Sequence, residues 1–218
     1  MTRTQQVPRG RSYHHGGLRS ALIAVASEML ERDGPEAISF RAVARATGVS
    51  QAAPYNHFQN KEDLLATVAE AQFRELEASQ IAAAASVRAG EERIVALGRD
   101  YVRFARTHPQ LYRLMFGVGI SNWCAHPGVA AAKDATFRPI KQALAEHLAI
   151  DGDSGPGAVE TAAIAAWALV HGLSMLFIDR SIDPAKTAAG HEELLIARAV
   201  TLLVTGLKSG SRTVGGSP

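Results

Sequence analysis

From Gly16 to Lys208 apolar residues return every third or fourth position, the spacing of one helix face, and no stretch alternates at every second position as a half-buried strand would. The first stripe, Leu18, Leu22, Val25, Ala26 and Met29, predicts a helix from Gly16 to Arg32 that Asp33-Gly34-Pro35 stops. A short pair follows. Ser39 is placed to cap Phe40 to Ala46, Thr47-Gly48-Val49 makes a turn, and Ser50 is placed to cap a second short helix reaching Asn56. Pro54 falls near the fourth position of that helix, where it forfeits one early hydrogen bond. A long helix from Lys61 to Val87 opens on Glu62 and Asp63, where the helix dipole favours acids, and carries Leu64, Leu65, Val68 and Leu76 inward. The pattern then predicts helices over Glu91 to Thr107, Gln110 to Phe116, Gly128 to Ala149, Gly157 to Asp179 and Ala185 to Lys208. The expected fold class is all-α, with about nine helices: an N-terminal three-helix bundle and a larger helical domain. The expected division is a basic arm over 1–15, a first domain over 16–61, a second over 62–208 and a polar, Gly-rich tail over 209–218.

Composition changes this picture in two places. With 218 residues, 47% of them hydrophobic and 20% charged, the chain can bury a sizeable core. No continuous apolar run nears the ~20 residues of a membrane helix, and Arg3, Arg9 and Arg11 interrupt any signal-like start. A cytoplasmic protein without membrane attachment is the expectation. Cys124 is the single cysteine, which excludes an intrachain disulfide and a thiolate metal cluster. The net charge of +2 is unevenly spread: eight basic against four acidic side chains through Lys61 (+4), then fifteen against seventeen (−2). A basic N-terminal segment suits a polyanion, and equally a solvated surface.

The stretch from Ser39 to Leu65, SFRAVARATGVSQAAPYNHFQNKEDLL, carries the most specific chemistry. Two short helices around a turn with Gly48 make a helix-turn-helix, whose second helix enters the major groove of DNA. Val43 and Ala44 face the crossing, Ala44 is small enough for close approach, Gly48 can take the positive φ of the turn, and Val49 plugs the gap beneath it. The continuation GVS-x-x-x-P-Y-x-H-F-x-x-K-E-x-L resembles the signature of TetR-like (tetracycline-repressor-like) regulators, as does Tyr13 to Arg19, YHHGGLR. Further on, Trp167 to Gly172 is similar to a Trp-x-x-x-His-Gly element of one group of C-terminal domains in that family, and His108 to Tyr112 fits the same group.

The resemblance implies DNA contacts from Arg41, Ser50, Gln51, Ala52, Ala53, Tyr55, Asn56, His57 and Lys61. Gln51 and Asn56 can hydrogen-bond base edges, and Ala52 and Ala53 can touch thymine methyls or permit close approach. Arg41, Ser50, Tyr55, His57 and Lys61 suit phosphate oxygens, which fix register and carry salt-dependent affinity. Arg9 and Arg11 are placed for a minor groove. Tyr55 and Phe58 could equally be core anchors and Gln51 merely solvated; the core role is preferred for Phe58 and a shared role for Tyr55.

The resemblance also implies a homodimer through the last two helices and a roughly palindromic double-stranded operator. The regulator would be a repressor released by a small apolar or aromatic effector. A pocket for it would draw on Tyr101, Phe104, Leu111, Met115, Phe116, Trp123, Phe137, Trp167, His171 and Met175, although such a stripe is as compatible with plain core. His171, one turn from Trp167, could be a buried polar group satisfied by a neighbour. Two rivals remain. A regulator without a small effector has the same signature. A helical enzyme would need a nucleophile elbow, a zinc helix or a phosphate loop, and the sequence supplies none; Cys124-Ala125-His126 brings no further ligands. No catalytic residue, metal site or cofactor is expected.

Overall fold

The computed structural model describes residues 15–117, 126–149, 157–182 and 191–211. All regular structure among them is helical: α1 (His15–Asp33), α2 (Phe40–Thr47), α3 (Lys61–Ala85), α4 (Glu91–Thr107), α5 (Pro109–Phe116), α6 (Pro127–Ala135), α7 (Arg138–Ala149), α8 (Ala158–Ile178) and α9 (His191–Ser211), with 3-10 turns at Pro35–Ala37 and Ala53–Asn56. The chain forms two compact units divided after Leu64, and α3 runs across the division.

In the first unit, α1 buries Leu22, Ala26, Met29 and Leu30 and packs on α2. It ends where Gly34 takes φ 80° and its N–H bonds the Leu30 carbonyl at 2.8 Å. The Ser39 hydroxyl accepts from the Ala42 N–H at 3.2 Å and starts α2. Gly48, at φ 76° and ψ 29°, ends it, with the Val49 N–H reaching back to the Ala44 carbonyl at 3.0 Å. Asn60 caps α3 by accepting from the Asp63 N–H, and Asp63 returns the favour to the Gln59 N–H, both at 2.9 Å.

The segment after the turn departs from the expected α-helix. Ser50 to Asn56 is a turn followed by the 3-10 turn Ala53–Asn56, whose first flanking residue is Ala52 and carries no side-chain cap. Its bonds close over three residues: Ala53 N–H to Ser50, Tyr55 N–H to Ala52, His57 N–H to Pro54. Pro54 has no N–H to give, its ring disfavours an α conformation at Ala53, and it is itself buried, so the tighter winding wins.

In the second unit α4 packs against α5, α7, α8 and α9, and α8 also meets α7 and α9. The expected helix over Gly128 to Ala149 is broken into α6 and α7, because Pro139 cannot bond the Ala135 carbonyl and its ring would collide with it. Thr136 and Phe137 bridge the gap with bonds to Lys133 and Asp134 at 3.1 Å. Gly98 lets α4 come close to two neighbours: a Cβ there would sit 2.9 Å from Val200 and 3.4 Å from Val170. The last helix is described from His191, and the expected start at Ala185 lies outside the described residues. Contrary to the expected absence of such a run, α8, at 21 residues and a mean hydropathy of 1.8, is long and apolar enough to cross a membrane by length and composition; Thr161, His171 and Ser174 interrupt its apolar residues in the sequence.

Candidate DNA interface and ligand cavity

The face of the first unit that the helix-turn-helix presents is built outward from three anchors. Pro54, Phe58 and Phe40 are buried, and they hold the intervening chain so that its other side chains point away. Gln51, Ala52, Tyr55 and Asn56 are exposed in consequence, as are Arg41, Ser50 and Lys61; Ala53 and His57 are half-buried. Tyr55 is 68% exposed and its ring stands edge-on to Phe40 at 4.8 Å, so one face is held while the hydroxyl is open. Phe58, 3% exposed, is a core residue with the Arg19 guanidinium over its ring at 5.4 Å. Lys61 does more than expected: its ammonium donates to the Pro35 carbonyl at 2.8 Å and so ties α3 to the loop after α1. Arg9 and Arg11 lie outside the described residues.

The second unit contains a cavity that is partly open to solvent. Its walls are Gln80 from α3, Ile94, Leu97, Gly98 and Tyr101 from α4, Thr136, Phe137 and Ile140 at the α6–α7 break, Ala166, Trp167 and Val170 from α8, and Val200 and Leu203 from α9. No charged residue is among them. Of the residues expected to form a pocket, Tyr101, Phe137 and Trp167 line this one. Phe104, Leu111 and Met115 are buried in the core and Phe116 and Met175 are half-buried, none of them on its wall; Trp123 lies outside the described residues. The cavity's Gly98, Thr136, Val200 and Gln80 were not foreseen. Gln80 had a visible signal, since it continues the inward stripe of Phe73 and Leu76 as a polar residue.

Behind the wall runs a hydrogen-bonded chain of aromatic side chains. The Trp167 Nε1–H donates to the Tyr101 hydroxyl at 3.1 Å, the Tyr101 and Tyr112 hydroxyls are 3.1 Å apart, and the Tyr112 oxygen is 2.6 Å from His171 Nδ1. Burial holds the His171 pKa below its ordinary value, with Lys133 adding to the effect, so the ring is neutral near pH 7. In the tautomer whose Nδ1 accepts, the Tyr112 hydroxyl gives its proton to His171 and is free to receive from Tyr101, whose own hydroxyl also lies 3.4 Å from His171 Nδ1. Burial also raises both phenols, Tyr101 well above the usual range and Tyr112 to about 12. The chain ties α4, α5 and α8 together. His171 is half-buried, and its Nδ1 is met by the Tyr112 hydroxyl.

Residues 22–68 match the family model described as bacterial regulatory proteins of the tetR family, and residues 94–207 match a tetracyclin-repressor-like C-terminal domain. A protein of unknown function from Rhodococcus sp. RHA1 is 32% identical, with a TM-score of 0.75, over 93% of this chain and 99% of its own. A bacterial regulatory protein in the tetR family from Rhodococcus RHA1 is 22% identical with a TM-score of 0.64, covering 87% of this chain and 96% of its own. The transcriptional regulator FadR from Bacillus subtilis, solved with stearoyl-CoA, shares the fold at 14% identity and a TM-score of 0.68, covering 86% and 98%. No curated protein matches in sequence. The two family models together take in the helix-turn-helix face and the cavity-bearing unit, and the chain belongs to the TetR family of bacterial regulators.

Proposed function

We propose that this DNA-binding regulator is a homodimeric, non-catalytic, cytoplasmic repressor that leaves a roughly palindromic operator when an apolar or aromatic effector fills the cavity of its second unit. The observation that carries the DNA part is the outward presentation of Gln51, Tyr55 and Asn56 from buried Pro54 and Phe58, on the unit whose basic residues exceed its acidic ones. Gln51 and Asn56 read bases; Arg41, Ser50, Tyr55, His57 and Lys61 hold phosphates; Ala52 and Ala53 allow close approach. The working division is a reading domain over 16–61 and a sensing and dimerising domain over 62–208.

The dimer reading rests on α8 and α9. Ile164 and Leu176 on α8, at 50% and 44% exposure, and Leu194 and Leu202 on α9, at 43% and 74%, lie on faces that no described element covers. Two such helix pairs would bury each other in a four-helix contact. A second copy, rather than lipid, suits a helix whose opposite side packs on α4 and α7 and carries His171 into the hydrogen-bonded chain. Repression follows from a bound dimer excluding polymerase, and release from an effector that favours a different setting of α3, the helix that bears Gln80 and begins at Lys61.

The test is fluorescence anisotropy of the protein with DNA from upstream of its own gene and with a scrambled control, over a salt series. Specific binding that weakens steeply with salt and is lost in the Gln51→Ala, Asn56→Ala double variant supports the reading. Equal, weak binding to both fragments by the intact protein defeats it.

A further inference from the structure

Gln80 is 5% exposed, it lines the cavity, and its amide makes no hydrogen bond with any other described residue. Its position is held: the neighbouring Ser79 hydroxyl donates to the buried Asp100 carboxylate at 2.8 Å, pinning this turn of α3 to α4. The other polar groups of the wall are already committed. Trp167 gives its N–H to Tyr101, the Tyr101 hydroxyl is engaged on both sides by Trp167 and Tyr112, and the Thr136 hydroxyl donates to the Lys133 carbonyl at 2.7 Å, which leaves it only lone pairs. One side chain on the wall therefore offers both a donor and an acceptor without a partner among the described residues. Its amide atoms are open to the cavity and not sealed in the core, so an occupant of the cavity can complete them.

We infer that the cavity takes an uncharged molecule with an apolar, ring-sized body and a single hydrogen-bonding head, such as a primary amide or another group that both gives and receives a hydrogen bond, and that the head pairs with Gln80. An ionised head is disfavoured, because no cation stands on the wall among the described residues to offset its desolvation. This deepens the effector reading proposed above and rests on it only for the consequence on DNA.

Three probes that share one skeleton isolate the head: para-butylbenzamide, para-butylbenzoate and butylbenzene, titrated against the full-length protein by calorimetry and by thermal shift near neutral pH. The amide binds roughly tenfold more tightly than the hydrocarbon, the size of one completed buried hydrogen bond, and the carboxylate binds weakest of the three. In Gln80→Leu the amide loses that advantage and the hydrocarbon equals or exceeds it. Gln80→Met, which keeps the length without the amide, gives the same order. Binding by none of the probes, a carboxylate that binds as well as the amide, or an amide preference that survives in Gln80→Leu and Gln80→Met overturns the inference. Operator affinity measured in the same samples separates the two readings: a Gln80-dependent head preference with unmoved DNA binding leaves the ligand chemistry standing and removes the effector role.

Discussion

Replacing Tyr112 by Phe removes one oxygen and little else. Tyr112 is fully buried, its ring keeps an edge-on contact with Tyr101 at 5.9 Å and a tilted one with Phe116 at 4.9 Å, and the side-chain volume barely changes. What goes is the 2.6 Å bond to His171 Nδ1 and the 3.1 Å contact with the Tyr101 hydroxyl. The Tyr101 hydroxyl lies 3.4 Å from His171 Nδ1 and takes up part of the lost bond. A lost buried hydrogen bond costs about 1–3 kcal/mol in full burial, and with His171 half-buried and this replacement contact the loss should come to about 1 kcal/mol. For a unit of this size that is roughly 2–4 °C of melting temperature. Circular dichroism with thermal and urea unfolding reads both quantities. The stronger check is a double-mutant cycle with His171→Leu: if the hydroxyl and the ring are one interaction, the paired variant loses less than the sum of the singles, by about 1 kcal/mol. A Tyr112→Phe protein that melts within about 1 °C of wild type, or a cycle that is strictly additive, refutes the hydrogen-bonded chain as a source of stability.

Three further outcomes are expected. Gly48→Val forces a β-branched side chain into φ 76° and should destabilise the first unit by at least about 1–2 kcal/mol, read as weaker operator binding with the circular dichroism of the second unit retained, whereas Gly48→Asn should be milder. Stability should fall at both ends of the pH range. The unfolded chain takes up a proton at His171 first as pH drops below its ordinary value of 6.5, and it loses the Tyr101 and Tyr112 protons first as pH rises above 10, the Tyr112 step toward about 12 being worth about 2–3 kcal/mol in full; urea unfolding across pH checks this, with His171→Leu flattening the acid limb and Tyr112→Phe making the alkaline one shallower while Tyr101 keeps part of it. Leu202→Glu together with Ile164→Glu should shift sedimentation from dimer to monomer and abolish tight operator binding, and an unchanged sedimentation coefficient would place the dimer contact elsewhere.

The helix-turn-helix was legible because its constraints are local. Ser39 capping Ala42, Gly48 in the left-handed region, Val43 and Ala44 buried at the crossing and Phe58 in the core all follow from residue types within a few positions of one another. Local spacing misleads at prolines. Pro54 does more than remove one bond from an α-helix, since it selects a 3-10 turn, and Pro139 splits a helix that apolar spacing alone joins.

The cavity was harder to read because its wall comes from five helices and the gaps between them, so no window of sequence contains it. Aromatic spacing pointed to Tyr101, Phe137 and Trp167, yet the same spacing equally marked Leu111, Phe104 and Met115, which are simply core. A more discriminating signal is a polar residue on an apolar stripe. Thr136 is a cap-like residue at a helix break and satisfies itself locally; Gln80 cannot, since it sits within a helix whose backbone groups are already paired and its amide reaches past them. A polar residue on the wall of a mostly apolar cavity that makes no hydrogen bond with any described residue is either unselected or completed by something else. The neutral walls around it, and the anchoring of its neighbour Ser79 on Asp100, favour completion, and that choice is the one on which the amide, carboxylate and hydrocarbon probes divide.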